Sequence, residues 1–495
     1  MALLRAARAY RPSLAERLQD RLLVATATDA ELQRRLLGFV DVLSGLGFDR
    51  RGETTAALAR EYLEGPFPGS PRLLRWGIRA GLAPAMPDRI VAIASRRMAG
   101  FMASRFIVEP GVKSLMRVLD QLRDLGRHPS FDLLGEQVLS ENEAEQYAQR
   151  YVDLIKRLRP RAAGPALASG TRTLQVSLKL SSLTSHFNPL DPDATFARVQ
   201  PRLERVAATA RLAGVGLTVD AEQYELRDLT WDIFQRFFSA PAWRDWDGTG
   251  VVIQAYLRDA SAHARDVVAF ARGRAPMQVR LVKGAYWDFE TILGEQRDWP
   301  VPVFTEKDNT DAEFEATAAL LLDASPSIRL AVASHNLRSH AHGEALREAR
   351  GLATGALEHQ VLYRTAESTA RALAGMGWPV RDYVPAGDLL PAMAYLARRI
   401  LENSSQAGFL AHARVGESSA ALLRPPTVRA EPERVPSPGF VNNAPPRLFL
   451  PGPRAAFEAA LAVITGENDI FRLDGENPQR EIIDSLDPAG GVAGR

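Results

Sequence analysis

The sequence predicts an α/β protein, a (β/α)8 TIM-like barrel with an α-helical N-terminal arm and a short C-terminal tail. From residue 130 onward, eight short runs rich in Val, Ile and Leu alternate with helical patterns over about 270 residues, the length of such a barrel. Nearly every run ends in a polar residue. A doubly wound sheet is the structural alternative, but the glycine-rich first turn that such a sheet normally carries is absent.

The first part of the chain predicts helices and few strands. Stretches such as "ELQRRLLGFVDVLSGL" and "DRIVAIASRRMAGFMASRFIV" repeat apolar residues at helical spacing. We therefore expect residues 1–125 to form a helical arm. The second stretch is also basic, as in helices that lie on membrane surfaces, although packing against the main domain is favoured.

The barrel is predicted between residues 126 and 414. Helical stretches such as "ENEAEQYAQRYVDLIKRL" separate the strands and supply the crossover connections that parallel strands need. The predicted strands cover residues 130–136, 174–183, 214–222, 250–257, 277–287, 328–336, 355–363 and 379–387.

The last part of the chain, residues 415–495, changes in composition. "RPPTVRAEPERVPSPGFVNNAPPRLFLPGP" is dense in proline, which predicts an extended tail or linker. "RAAFEAALAVITG" predicts one short helix after it.

Composition and charge exclude several classes of function. The 495 residues include 46% hydrophobic and 24% charged residues, as in ordinary globular proteins, and the net charge of +2 predicts no nucleic-acid footprint. The absence of cysteine excludes disulfides, thiolate nucleophiles and cysteine-based metal sites. No H-E-x-x-H spacing supports a histidine metal site, so no metal is expected. No apolar run reaches the roughly 18 residues that a membrane-spanning helix requires.

The polar residues at the predicted strand ends are the first candidates for function. In a barrel, the carboxyl ends of all strands open onto one mouth, so these side chains are expected to converge there. They are Glu136, Lys179, Asp220, Glu222, Gln254, Arg280, Lys283, His335, Asn336, Gln360 and Tyr383.

The stretch "LLPAMAYLARRILEN" follows the last predicted strand. It places Tyr395, Arg398, Arg399 and Glu402 on one face of a helix and apolar residues on the other. This pattern is typical of an ordinary helix with a solvated polar stripe. The alternative, favoured by its position next to the mouth, is that the paired guanidinium groups bind a carboxylate or phosphate.

The motifs "VSLKLSSL", "VDAEQYELR", "VRLVKGAYWD", "ASHN" and "YVPAGDLLPAMAYLARRILEN" resemble those of the proline dehydrogenases. The similarity extends over roughly residues 15–412 and is strongest to the flavin-dependent domain of bifunctional bacterial proline utilisation proteins. It implies oxidation of L-proline to Δ1-pyrroline-5-carboxylate, with hydride transfer to N5 of FAD and electrons passed on to a quinone.

The resemblance also implies roles for individual residues. Arg398 and Arg399 would bind the proline carboxylate, Lys179 would add a third positive charge, and Asp220 would keep this cluster ordered. Glu136 would pair with the helix arginines and gate the pocket. The residues implied in catalysis are Lys179, Asp220, Tyr383, Arg398 and Arg399. Those implied in substrate binding are Lys179, Tyr286, Leu362, Tyr383, Tyr395, Arg398 and Arg399.

For the cofactor, the resemblance implies that Arg280 contacts flavin N5, that Gln254 binds the pyrimidine edge and that Trp287 stacks on the adenine. The other residues implied in FAD binding are Lys283, Thr305, His335, Asn336, Gln360 and Glu402. One departure concerns the loop after the seventh strand, where the family usually has Q-x-L-x-G-M and this chain reads "QVLYRTAE". Residues 363–366 thus replace a glycine-containing turn.

The tail has a resemblance of its own, to the entry segment of the aldehyde dehydrogenase half of the bifunctional proteins. We therefore expect a truncated or split descendant, or the first portion of a longer protein, with a separate pyrroline-5-carboxylate (aldehyde) dehydrogenase as a partner. A cytoplasmic location, with transient contact at the inner face of a membrane for quinone reduction, is expected. The alternatives are a dehydrogenase of a related cyclic amino acid such as hydroxyproline, and a non-catalytic barrel that serves as an interaction module.

Overall fold

The eight predicted strands form one closed parallel barrel, in the order β1-β2-β3-β4-β5-β6-β7-β8. The computed structural model describes residues 1–13, 16–17, 29–46, 52–103, 106–134, 138–162, 170–387, 423–431 and 444–466. The strands are β1 Arg127–Leu133, β2 Gln175–Leu178, β3 Gly216–Val219, β4 Thr249–Gln254, β5 Met277–Val282, β6 Ile328–Ala333, β7 Leu357–Leu362 and β8 Val380–Ala386. Each strand overlaps one predicted segment, so the predicted barrel is confirmed.

Helices surround the barrel and connect its strands. Those between consecutive strands are Glu141–Ala162, Pro192–Ala213, Tyr224–Phe238, Ala260–Ala271, Trp287–Gln296, Lys307–Asp323, Leu337–Ala349 and Glu367–Gly375. Along most strands, apolar residues that face these helices alternate with residues that face the barrel interior. The outward residues, such as Val176, Leu217, Val279 and Val332, are fully buried and form one core with the helices.

The second strand ends earlier than predicted. Segment 174–183 was expected to be a strand throughout, but after Lys179 the chain enters the 3-10 helix Leu180–Leu183. The backbone and the hydroxyl of Ser182 both donate to the carbonyl of Lys179, at 3.1 and 2.6 Å. Local hydrogen bonds of this kind compete with strand pairing and close the turn.

The helices before the barrel are Ala2–Ala9, Ala30–Leu46, Glu53–Leu63, Arg72–Gly81, Asp88–Ala103 and Val112–Asp124. Ala2–Ala9 packs Leu3 and Leu4 against Leu373 in the helix Glu367–Gly375. A separate apolar cluster, which contains Phe39 and Val91, joins three of the other helices. Among the described residues, no helix combines the length and hydrophobicity that crossing a bilayer requires.

The described tail segments lie against the barrel. Trp299 donates its indole N–H to the Pro445 carbonyl at 2.6 Å, and Phe449 packs edge-on against Tyr224. The helix Pro451–Gly466 forms where the sequence predicted one.

Glu431 attaches the tail to the N-terminus of the helix Lys307–Asp323. One carboxylate oxygen accepts from the backbone amides of Thr305 and Glu306, both at 3.0 Å, and from the side chain of Asn309 at 2.8 Å. Arg258 pairs with the other oxygen. Burial opposes ionisation, but these donors outweigh it and lower the pKa of Glu431 to about 2. A carboxylate at this helix end is also favoured by the helix dipole.

We expect Glu431→Gln to release residues 423–431 from the barrel surface, because the amide cannot replace a carboxylate that accepts from several donors at once. The loss is about 1–2 kcal/mol, the range for charge-assisted hydrogen bonds near a helix N-terminus. Hydrogen exchange of residues 305–309 and 423–431 should accelerate. Because folding lowers this pKa below its usual value of 4.5, the contribution is complete above pH 4.5 and is lost as the pH falls towards 2.

A matched control is Glu458→Gln in the same tail, whose side chain is exposed and lies 3.7 Å from Arg454. Unchanged exchange in both variants would show that the Glu431 carboxylate does not hold the segment.

Candidate active site

Polar side chains fill the carboxyl-terminal half of the barrel interior. They lie on or directly after six strands and face one another across the barrel, as their hydrogen bonds and ion pairs show. They are Ser130, Asp132, Ser177, Lys179, Asp220, Arg280, Gln360 and Tyr383. Five of the predicted strand-end residues therefore meet in one place, as the sequence predicted.

Arg280 is the centre of this group. It is buried, and Nε donates to Gln360 at 2.6 Å while Nη2 donates to Ser130 at 3.1 Å. Nη1 donates both to Ser177 at 3.1 Å and to Asp220 at 2.5 Å. Hydrogen bonds within the described part of the chain thus use four of its five N–H donors. The guanidinium is held rigidly by side chains from several strands.

Asp220 and Lys179 have different hydrogen-bond partners. Asp220, which was expected to keep the cationic cluster ordered, pairs with Arg280 and accepts from the Tyr383 hydroxyl at 2.9 Å, and its charge also favours the Lys179 ammonium. The partner of Lys179 is Asp132, which the sequence analysis missed, at 2.8 Å. The Arg280 guanidinium also lies 5.1 Å from the centre of the Tyr383 ring, within range of a cation–π contact.

Burial sets the direction of most pKa shifts here. It raises the pKa of Asp220, although Arg280 and Lys179 oppose this. It also raises the pKa of Tyr383 well above its ordinary value, and Asp132 adds to the effect. For Lys179, burial favours the neutral amine, but the carboxylates of Asp132 and Asp220 outweigh it and raise its pKa. Lys179 is therefore a fixed positive charge in the mouth.

Gln254 and Glu222 lie on the neighbouring side of the mouth. The Gln254 amide donates to the backbone carbonyl of Glu222 at 2.9 Å. Glu222 accepts from Ser181 at 2.6 Å through Oε1, while Oε2 is buried without a hydrogen-bond partner among the described residues. Burial raises the pKa of Glu222.

A second polar layer closes the barrel beneath the mouth. Glu358 and Arg381 form a fully buried ion pair, with Nε and Nη2 of the arginine 2.7 and 2.9 Å from the two carboxylate oxygens. Gln278 donates to Glu358 at 3.2 Å and accepts from Gln175 at 2.7 Å. This layer was not predicted from the sequence, although the signal was present in polar residues two positions apart, Gln278 and Arg280 in "MQVRLV" and Glu358 and Gln360 in "LEHQVL".

The residues after β5 supply positively charged and aromatic side chains next to the mouth of the barrel. Asp311 binds two ammonium groups, Lys283 and, at 2.7 Å, Lys307, which leaves one positive charge in excess. Burial and the Lys307 charge lower the pKa of Lys283 despite Asp311. The ring of Trp287 is 42% exposed, and its N–H donates to the carbonyl of Phe304 at 2.8 Å. Thr305, also predicted, is exposed next to this ring.

The segment after β6 forms a short turn that begins the helix Leu337–Ala349. Asn336 is the N-cap of that helix and accepts from the Arg338 amide at 2.9 Å. Its own amide donates to the Ser334 hydroxyl at 3.0 Å. His335 lies between them and is half-buried.

The loop after β7 retains the shape that a glycine would give it. Arg364 stands where the family motif has glycine, and it adopts φ 55°, in the left-handed region that glycine adopts without strain. Its guanidinium lies 5.0 Å from the Tyr363 ring centre. Leu362, the last residue of β7, is half-buried. Tyr286 is half-buried as well, directly before the helix Trp287–Gln296.

Several predicted residues lie outside the described residues, so the structure does not place them. They are Glu136, Tyr395, Arg398, Arg399 and Glu402.

Comparison with known proteins gives two family matches. The family model described as proline dehydrogenase matches residues 115–412, and the proline utilization A N-terminal domain matches residues 1–106. The bifunctional protein PutA of Salmonella typhimurium is 29% identical over 317 residues, which cover 62% of this chain and 24% of that protein. Proline dehydrogenase 1 of Bacillus subtilis is 28% identical over 308 residues, covering 62% of this chain and 89% of that protein.

Solved structures agree with these matches. Proline utilization A (PutA) from Bdellovibrio bacteriovorus, inactivated by N-propargylglycine, superposes with a TM-score of 0.79 at 30% identity and covers 94% of this chain and 48% of that one. A mutant of Bradyrhizobium japonicum PutA gives 0.67 at 27% identity, over 93% of this chain and 52% of that one. The aligned part is 24% of the length of the Salmonella relative and about half of each solved chain. The proline dehydrogenase model alone spans more than half of the sequence, and the chain belongs to the proline dehydrogenase family.

Proposed function

We propose that this protein oxidises L-proline to Δ1-pyrroline-5-carboxylate with a tightly bound FAD. The observation that carries the proposal is the convergence of Lys179, Asp220, Arg280 and Tyr383 in one buried group at the carboxyl end of the barrel. These are residues that the resemblance implied for substrate and flavin, and they come from four different strands or the loops after them. Asp220 joins Arg280 and Tyr383 through direct hydrogen bonds, and its charge also stabilises the Lys179 ammonium.

The residues around the mouth fit a flavin dinucleotide. Arg280 keeps one N–H donor beyond the four used within the described part of the chain, and Oε2 of Glu222 is buried without a described partner. The excess positive charge of Lys283 and Lys307 suits a diphosphate, and the exposed ring of Trp287 suits an adenine. Gln254, His335, Asn336 and Gln360 would hold the other polar groups. When bound, FAD would supply the hydride acceptor for the reaction.

The roles of the protein groups follow from charge. Lys179 is a fixed cation in the mouth, and Arg398 and Arg399 are proposed to bind the proline carboxylate with it. Tyr383 is held by Asp220, so its ring has one orientation from which to contact the pyrrolidine. Arg280 places positive charge where electron density would gather on reduction, which favours reduction of a bound flavin.

The proposal includes three further components. A quinone would take the electrons, a separate pyrroline-5-carboxylate (aldehyde) dehydrogenase would use the product, and the reaction would take place in the cytoplasm, at the inner face of a membrane. The resemblance to the proline dehydrogenases implies these three components.

The first test is the absorbance spectrum of the purified protein, supplemented with FAD, before and after L-proline. We expect flavin bands that proline bleaches and that a dye or quinone restores. Hydroxyproline and N-methylproline, tested in parallel, should bleach the flavin much more slowly. A protein that stays colourless after addition of FAD would show that the proposed function is wrong.

The second test is Arg399→Lys, which keeps the charge but loses the bidentate fork. We expect the KM for proline to rise roughly 10- to 100-fold, in line with the loss of one charge-assisted bidentate contact of about 1.5–3 kcal/mol, while flavin stays bound. Arg371→Lys is the matched control, because that arginine lies on an outer helix and pairs with Glu367. Loss of flavin absorbance with unchanged proline affinity would contradict the assigned role.

A further inference from the structure

Two histidines outside the mouth face each other in the layer between barrel and helices. His340 lies in the helix Leu337–Ala349 and His359 lies in β7, and both are fully buried. Their Nδ1 atoms are 3.0 Å apart. None of the roles proposed above involves either residue.

Each histidine has a second partner, so the pair belongs to a continuous chain. Nε2 of His340 lies 2.8 Å from the backbone carbonyl of Ser334. Nε2 of His359 lies 2.9 Å from Oε1 of Glu344, and Oε2 of that carboxylate accepts from Nε of Arg347 at 2.6 Å. The buried chain of hydrogen bonds therefore runs from the guanidinium of Arg347 to the carbonyl of Ser334. The predicted cofactor residues His335 and Asn336 follow directly after Ser334.

The protons in this chain can be counted. A carbonyl oxygen only accepts, so Nε2 of His340 carries a proton. The contact between the two Nδ1 atoms requires one proton, and the contact between His359 and Glu344 requires another. Because Arg347 donates to the same carboxylate, the negative charge of Glu344 is stabilised and that third proton lies on the ring. The two imidazoles thus hold three protons and one positive charge.

The surroundings of the two rings favour His359 as the charged member. Burial, with smaller contributions from His359, His335 and Lys283, lowers the pKa of His340 well below its ordinary value, which favours the neutral form of that ring. The Trp378 ring stacks on His359 at 5.1 Å between ring centres, and Glu344 lies on its other nitrogen. An aromatic face and a carboxylate are both suitable neighbours for an imidazolium.

The chain ends at the turn that begins the helix Leu337–Ala349. The Ser334 amide donates to the carbonyl of Gln360 at 3.3 Å, and its hydroxyl accepts from the amide of Asn336. Gln360 in turn accepts from Arg280 on the inner side of the barrel. His359 is the neighbour of Gln360 in β7, so the pair lies directly behind this part of the mouth.

We propose that His340 and His359 form a singly charged pair that positions the turn Ser334, His335 and Asn336 for a bound flavin. The pair is a positioning element and contacts no flavin atom. The flavin part of this inference rests on the proposed function, whereas the proton count and the fixed turn do not.

The experiment compares the wild type with His340→Leu, which removes both hydrogen bonds, and His340→Gln, which can keep a donor to the Ser334 carbonyl. His263→Gln is the control, because that half-buried ring lies in the helix Ala260–Ala271 and packs on Trp231. Protein labelled with 15N-histidine should show, at pH 6, one neutral ring and one doubly protonated ring coupled to each other, and His340→Leu should abolish this pattern.

The second readout is hydrogen exchange of residues 334–338 in the flavin-free protein. We expect at least about fivefold faster exchange in His340→Leu, as follows from losing a buried hydrogen bond of about 1 kcal/mol, an intermediate rate in His340→Gln and no change in His263→Gln. The dissociation constant for FAD, measured by fluorescence, should rise by a similar factor in His340→Leu.

The outcomes separate the two hypotheses. If the wild type binds no FAD but the exchange and the spectra change as expected, the proposed function is wrong and the fixed turn stands. If the wild type binds FAD and His340→Leu binds it equally well with unchanged exchange, the inference is wrong. If His340→Leu does not fold, His340→Gln serves as the test instead. Spectra, exchange rates and FAD affinity equal to those of the wild type in His340→Gln would overturn the inference.

Discussion

Arg280→Met is expected to remove flavin binding and to lower the free energy of unfolding by about 3–5 kcal/mol, the range for breaking a buried ion pair by removing one partner. The substitution leaves the Asp220 carboxylate buried without its guanidinium, and Gln360, Ser177 and Ser130 without their donor. The side chains of the mouth would then separate or admit water. Urea unfolding measures the first effect, and flavin fluorescence on titration with FAD measures the second.

Three further variants separate the causes. Arg280→Lys keeps the charge but offers three donors from one point, so stability should fall less than flavin affinity. The double variant Arg280→Met with Asp220→Asn should recover part of the lost stability, because no buried charge remains unpaired. Arg350→Met, directly after the helix Leu337–Ala349, is the control, and its pair with Asp323 should contribute less than about 1 kcal/mol. Similar losses for Arg280→Met and the control would refute the central role of Arg280.

The barrel could be predicted from the sequence because its signal is local. Most strands carry outward apolar residues such as Val279 and Leu281, and each strand from β1 to β7 is followed by a helix of sufficient length. Strand ends could not be predicted from the same signal. "LQVSLKLSSL" continues with apolar residues beyond the strand, whereas the chain turns where the amide and the hydroxyl of Ser182 both bind the carbonyl of Lys179.

The site could be predicted in part, for a related reason. Polar residues at strand ends mark the mouth, so Lys179, Asp220 and Arg280 were identified individually. Their partners could not be assigned, because an ion pair such as Lys179 with Asp132 joins residues 47 positions apart and depends on how the barrel closes. The roles of Arg398 and Arg399 remain a prediction, since these residues lie outside the described residues.

The polar layer beneath the mouth departs from the branched apolar residues that usually fill such barrels. Arg381 uses all five N–H donors there, two to Glu358 and the others to backbone carbonyls of Pro129, Arg172 and Thr173 at 2.8 to 3.1 Å. One side chain thus joins β7 and β8 to β1 and to the residues just before β2. We infer that this layer fixes how the barrel closes and so supports the group around Arg280.

Arg381→Met is therefore expected to lower the free energy of unfolding at pH 7 by about 3–5 kcal/mol, since it leaves Glu358 charged and buried. In the wild type, burial raises the pKa of Glu358, but Arg381 outweighs this and lowers it from 4.5 to about 2. Its contribution to stability is complete above pH 4.5 and is lost as the pH falls towards 2.

Without Arg381, burial dominates and the pKa of Glu358 rises above 4.5, so protonation on acidification favours the folded variant. The stability deficit of Arg381→Met relative to the wild type should therefore be largest at pH 7 and narrow towards pH 4, as urea unfolding at both pH values would show. Adding Glu358→Gln should remove this pH dependence and recover part of the deficit. A deficit that is equal at both pH values would mean that the lost bonds to the backbone carbonyls, and not the unpaired carboxylate, account for the effect.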